Sequence, residues 1–123
     1  MTGTPRDGVG RLEGVVIDVS DLEKAMEFWS LLTGYAFGPS YTPQCRATVM
    51  PGSGIRLVLQ QVPETKVVKN RVHLDFEVSD LEQALDRVEA LGGRLVDRVH
   101  NPGVGSLIIC ADPDGNELCL VSP

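Results

Sequence analysis

The stretch Asp18-Val19-Ser20-Asp21-Leu22-Glu23-Lys24-Ala25-Met26 returns 59 residues later as Glu77-Val78-Ser79-Asp80-Leu81-Glu82-Gln83-Ala84-Leu85. The same offset pairs Gly34 with Gly93 and Val15–Val19 with Leu74–Val78. A repeat is read before any single element, because each copy is a supersecondary unit that buries its apolar face with help from its neighbour. Two modules, 11–61 and 71–122, joined by a linker over 62–70, thus make up a single domain, 11–123. Met1–Gly10 is rich in Gly, Thr and Pro and reads as a flexible N-terminal tail.

Each module opens on a strand. In the second, Leu74, Phe76 and Val78 alternate with His73, Asp75 and Glu77, the period of two that marks a strand with one packed and one open face. In the first, Val15, Ile17 and Val19 take the packed face, and Gly14, Val16 and Asp18 the open one. A helix follows. Ser20-x-x-Glu23 and Ser79-x-x-Glu82 read as capping boxes, with Asp21 and Asp80 adding negative charge in the first turn. The apolar stripes are Leu22, Ala25, Met26, Trp29 and Leu32, then Leu81, Ala84, Leu85, Val88 and Leu91. Phe28 falls one step off its stripe and is read as a contact for a partner. Gly34 and Gly92–Gly93 are expected to close the helices in the left-handed conformation. Three shorter strands complete each copy: Ala36–Phe37, Cys45–Met50 and Arg56–Gln61, then Arg94–Val96, Gly105–Ala111 and Glu117–Val121. Asp112-Pro113-Asp114-Gly115-Asn116 is a tight turn between the last two. The expected class is α+β: tandem βαβββ modules whose mixed sheets curve around a central cleft, with the helices outside.

Composition narrows the function. A net charge of −6 repels phosphate backbones, which speaks against nucleic acid as a partner. No apolar run approaches the about 20 residues of a membrane helix, and no apolar signal segment opens the chain, so a cytoplasmic protein away from membranes is expected. The cysteines, Cys45, Cys110 and Cys119, are odd in number and form no Cys-x-x-Cys pair, which points to reduced, packed thiols. Arg46, Arg56, Lys66, Lys69 and Arg71 lie near one another in sequence, either as a patch for an anionic ligand or as solvated loop charges.

The motifs Val19-Ser20-Asp21-Leu22-Glu23, Phe28-Trp29 and Leu32-Thr33-Gly34, with Lys69-Asn70-Arg71-Val72-His73-Leu74-Asp75, Ala90-Leu91-Gly92-Gly93 and Asp112–Asn116, resemble the vicinal oxygen chelate superfamily. Within it they are closest in kind to glyoxalase-like and bleomycin-resistance-like proteins. The likeness spans Arg11 to Val121. It implies a cleft in which each module supplies one metal ligand from its first strand and one from its last, leaving open positions for vicinal oxygens of a substrate. The first-strand position, seven residues before the aspartate of each capping motif, is His73 in the second module and Gly14 in the first. The last-strand position is Cys119, three residues after Asn116, and Val58 in the other copy. Glycine and valine carry no donor, so the quartet Gly14, Val58, His73 and Cys119 reads as a degenerate metal site. No cofactor is expected and a divalent metal is disfavoured. Glu117, on the face of Cys119, is the one candidate for a third ligand.

Chemistry then rests on His73, Asp75 and Glu77, spaced by two on one open strand face, as groups for acid–base work. A plain polar face of a half-exposed strand is the alternative. Val16, Asp18, Val58, Gln60, Arg46, Glu117 and Cys119 are the expected ligand-binding residues. His100 reads as a solvated loop histidine. Cys119 lacks a positive neighbour and reads as a packed thiol. Tyr35, Tyr41 and Phe37 flank the loop 38–44, either as aromatic cover for a ligand or as an ordinary connection. Three functions follow: a metal-free binder of a small molecule; a lyase or isomerase of the glyoxalase type, using His73 with a carboxylate or a non-standard metal site; or an interaction domain without a ligand. A homodimer fits all three.

Overall fold

The computed structural model describes residues 8–40, 42–103 and 105–122. Residues 1–7 of the expected tail, and Tyr41, lie outside them; Gly8–Gly10 are exposed. The order is β1 (Gly14–Val19), α1 (Leu22–Thr33), β2 (Gly38–Pro39), β3 (Cys45–Val49), β4 (Arg56–Gln61), β5 (Leu74–Glu77), α2 (Leu81–Ala90), β6 (Arg94–Asn101), β7 (Gly105–Ala111) and β8 (Glu117–Val121). This is βαβββ twice. The strands form two four-stranded sheets, β1-β4-β3-β2 and β5-β8-β7-β6. In each, the first strand runs parallel to the last, and the remaining neighbours are antiparallel. The sheets are mixed because the helical crossover carries the chain from the first strand to the far edge, and antiparallel connections then bring it back until the last strand lies beside the first.

The packed faces fall where alternation put them. Val19, Leu57, Leu59, Leu118 and Leu120 are buried, while Val16, Asp18, Asp75 and Glu77 are exposed. One continuous core joins both modules: Val19, Leu22, Phe28, Trp29 and Leu59 from the first meet Leu85, Val88, Ile108, Leu118 and Leu120 from the second.

Five sequence readings need correction. The helix caps are Asp21 and Asp80 rather than the serines. Both aspartates have extended backbone (φ −139 for each), and their carboxylates accept from Lys24 N at 3.2 Å and Gln83 N at 3.0 Å. Each helix starts one residue later than read, and an anionic cap also suits the positive helix end. Phe28 is no partner contact: it is 1% exposed and stacks on Trp29 with centroids 5.3 Å apart. The buried arc of α1 takes in Leu22, Ala25, Phe28 and Trp29 and so is turned toward Phe28, while Met26 and Leu32 of the expected stripe are only partly buried. Only Gly92 of the glycine pair is left-handed (φ +97); Gly93 is needed for room, since a Cβ there would lie 2.7 Å from both Ala111 O and Val88 Cγ1. The short second strand is Gly38–Pro39, not Ala36–Phe37, and β3 stops at Val49. Finally β6 extends to Asn101 in a long hairpin with β7, bulged between Leu95 and Asp97, which puts His100 on a strand with Nδ1 2.6 Å from Ser106 Oγ.

Candidate functional site

The registers bring three donors together. Asp75 and Cys119 are direct neighbours across the parallel pair β5·β8, and His73 stands two residues before Asp75. Side chains two apart on a strand share a face. His73 Nδ1 therefore lies 3.2 Å from Asp75 Oδ1 and 3.5 Å from Cys119 Sγ, and all three ligand atoms fall within 4.8 Å of one another. Nδ1 offers one proton or one lone pair, so it satisfies one of these partners at a time. A cation at the common focus would take all three. The imidazole and carboxylate are accessible, with side chains 42% and 59% exposed, whereas Cys119 is 3% exposed.

Burial, and then the charge of Asp75, pushes the Cys119 thiol above its ordinary pKa, so without a cation it keeps its proton. That state, together with both contacts falling on the same imidazole nitrogen, argues against a nucleophilic relay, which needs opposite nitrogens. The donor set of nitrogen, oxygen and sulfur fits a borderline-soft ion such as zinc. The two His73 contacts, 3.2 Å to Asp75 Oδ1 and 3.5 Å to Cys119 Sγ, are short enough for one such ion to reach across them. A hard ion would prefer oxygen throughout. The sequence reading counted two ligands and disfavoured a metal; the third donor, Asp75, restores the possibility. Glu117 does not supply it: its Oε1 is 2.6 Å from Lys69 Nζ. Gly14 and Val58 contribute no donor, and a Cβ at Gly14 would press within 3.3 Å of Arg56 O.

His73 also lines a cavity of about 420 Å³ between β1 and the 62–74 segment. Val16, Asp18 and Glu117 of the expected binding residues line it too. Val58 and Cys119 are buried within their sheets, Gln60 pairs with Asp18 and Cys45 in the strand register, and Arg46 turns its Nη1 onto the carbonyls of Pro43 and Cys45. Asp75 and Glu77 border a different hollow. Lys66 and Lys69 of the basic run line the first cavity, but Lys66 Nζ donates to Val68 O and Lys69 is held by Glu117.

The walls that sequence reasoning missed come from the linker and the turn. Val67, Val68, Asn70, Val72, Asp114 and Asn116 line the cavity, and Asn70 Oδ1 accepts the Glu117 N–H at 2.8 Å. The exposed valine run was legible in principle as a segment too apolar for an idle linker. Behind the cavity, Asp112 is 1% exposed. Its Oδ1 accepts from the N–H groups of Asp114 and Asn116, and its Oδ2 from Trp29 Nε1 at 3.1 Å and Asn116 Nδ2 at 3.0 Å. Asn116 Nδ2 also donates to Asp18 O, and Ser20 N to Asp114 Oδ1, so the turn clamps the first module to the second. Burial is the main cause that raises the Asp112 pKa, against the hydrogen bonds that lower it.

Comparison with known proteins agrees with this architecture. The family model described as a glyoxalase-like domain matches residues 14–121. A curated relative, Glyoxalase 1 of Caenorhabditis elegans, is 25% identical over 114 residues; that match takes in 87% of this chain and 41% of the longer relative. Among solved structures, a glyoxalase-related enzyme from Fulvimarina pelagi superposes with a TM-score of 0.74 at 20% identity, covering 94% of this chain and 89% of the other. The fosfomycin resistance protein FosX from Listeria monocytogenes gives 0.75 at 17% identity, covering 94% and 95%. A mutant of that protein, complexed with Mn(II) and a dihydroxypropylphosphonic acid, gives 0.74 at 17% identity, covering 94% and 90%.

Proposed function

Since this chain belongs to the glyoxalase-like domain family, we propose that it binds a small molecule in the cavity along β1, with His73, Asp75 and Cys119 holding a zinc-class divalent ion beside it. The observation that carries the proposal is the convergence of two further donors on Nδ1 of a histidine that itself lines the cavity. A bound ion would supply Lewis-acid polarisation of a ligand oxygen. The chain's own groups do the rest. The valines of β1 and the linker exclude water from the ligand's apolar part, and the Glu117–Lys69 pair fixes the wall next to His73. His73 is the group at the cavity wall that can hold or pass on a proton when no ion holds it. The finer part of the proposal is turnover of the lyase or isomerase kind at the same centre, with activity lost in His73→Ala.

Metal-free binding is the second reading, favoured by the protonated Cys119 thiol and by the missing donors at Gly14 and Val58. The proposal also includes a cytoplasmic setting, where all three thiols stay reduced, and pairing with a second copy. Val67, Val68 and Val72, which are 89%, 75% and 74% exposed beside the cavity, support that pairing. Metal analysis of the purified protein tests the centre. About one zinc per chain is expected, with a rise in thermal midpoint on zinc addition that His73→Ala and Asp75→Ala each abolish. Absence of both the metal and the shift would leave the metal-free reading standing.

A further inference from the structure

The two walls of the His73 cavity are held very differently. One is β1 with Trp29, and the other is the run from Glu64 to Asn70. β1 is laddered to β4 along its whole length, and Trp29 is 1% exposed. The run belongs to no helix or strand, since β4 ends at Gln61 and β5 begins at Leu74. Val67 and Val68 are 89% and 75% exposed, so burial does not hold it either. Among the described residues its hydrogen bonds to the body sit at its two ends. Val62 N donates to Val19 O at 2.9 Å. At the far end both ties converge on Glu117: Lys69 Nζ meets Oε1 at 2.6 Å, and Asn70 Oδ1 accepts from the Glu117 N–H at 2.8 Å. Between the ends, the one hydrogen bond is internal, from Lys66 Nζ to Val68 O. The flexible Lys66 stem lies near Gly115, where an added Cβ would be 3.9 Å from Lys66 Cδ.

Weak ties at one end make the other end a hinge. Glu117, with a side chain 13% exposed, is the fixed half of the tie, and Lys69, 72% exposed, is the loose half. An ion pair so open to water and salt adds little. The Asn70 bond rests on a single backbone N–H. Breaking both frees 63–72, because the next tie along the chain is β5. A stretch with few buried apolar contacts opens locally, far below the cost of global unfolding. The other wall would stay in place. Neither the β1·β4 ladder nor the bonds that join Trp29, Asp112, Asn116 and Asp18 involve this segment.

We propose that residues 63–72 are a strap that gates this cavity, hinged at Val62 and latched on Glu117. The proposal rests on reading the cavity as the ligand site, but no ligand or ion enters its test, so the two can fail separately. Two probes are read on isotope-labelled full-length protein. Hydrogen exchange at the Glu117 amide reports the latch, and acrylamide quenching of Trp29, the chain's one tryptophan, reports access to the cavity. Relative to unstructured amides, Glu117 should exchange faster than Leu120, which is buried in the same strand. Lys69→Met should speed Glu117 exchange about threefold and raise Trp29 quenching in step, with Leu120 unchanged. Lys69→Arg keeps the pair and should behave as the parent does. Raising salt from about 0.01 M to 1 M should act on the parent as Lys69→Met does, and leave that variant unmoved. Pairing through the exposed valines would slow parent and variant alike and leave their ratio intact. Three results would overturn the proposal: Glu117 exchanging no faster than Leu120, Lys69→Met speeding both amides equally, or Glu117 exchange quickening while Trp29 quenching stays at the parent's level.

Discussion

Cys110 and Cys119 show how far two thiols on neighbouring strands can differ. Cys110 is fully buried among apolar side chains, and burial pushes its thiol up to about 11. The unfolded chain would ionise that thiol near the ordinary value of about 8.5. Because the folded state binds the proton more tightly, this group's contribution to stability is present below the ordinary value and is lost as pH rises toward about 11. Denaturation followed from pH 8 to pH 11 should therefore show stability falling, with Cys110→Ala flattening the fall. Iodoacetamide at pH 8 should label Cys110 only after unfolding. Cys119 has Asp75 and His73 around it, and its protonation is tied to whatever occupies that focus. At this scale the sequence shows His73 and Asp75 as a pair spaced by two, because strand period is local. It does not show that Cys119 joins them, since that depends on the register of a parallel pair 44 residues apart, Asp75 with Cys119.

Elements were legible in kind and less so at their ends. Both helices, all but one of the strands and the closing turn fall on the stretches whose apolar period announces them. The ends move because Ser and Asp both cap well, and the apolar period does not say which of two adjacent residues accepts. In both modules it is the aspartate, from Lys24 N and from Gln83 N. Asp21→Ala and Asp80→Ala should each cost about 1 kcal/mol in urea denaturation. Ser79→Ala, outside the helix it precedes, should cost only a few tenths. Equal losses at Ser79 and Asp80 would mean that the serine shares the cap.

For the whole molecule, the joint between the modules matters most. Asp112 is the hub: its four hydrogen bonds tie Trp29 of one module to the turn of the other, and Asn116 passes the connection to Asp18. In Asp112→Asn, if the remaining oxygen faces the two backbone N–H groups, the new amide sets a donor against Trp29 Nε1 and Asn116 Nδ2. Leaving buried donors unmatched should cost about 1–3 kcal/mol, in spite of the charge removed from a buried place. The chain's one tryptophan reports on this joint directly, so its fluorescence should unfold together with far-ultraviolet dichroism in the parent chain and lose that coincidence in the variant. The raised Asp112 pKa also has a sign. Its folded state holds the proton more tightly, so this group's contribution favours folding below the ordinary carboxylate value and fades as pH rises through the raised one; Asp112→Asn removes that dependence.

By itself the amino-acid sequence determined what repeats locally: two βαβββ modules, their packed and open faces, the helix stripes and the Asp112–Asn116 turn. Period, propensity and turn chemistry act over a few residues, so they survive without a fold. Only the tertiary structure decided which open faces matter. It brought Cys119 to His73 and Asp75 and turned the 62–70 linker into a cavity wall. Those outcomes depend on strand register and on how one module seats against the other. Both are set by a shared core that no single stretch of sequence contains.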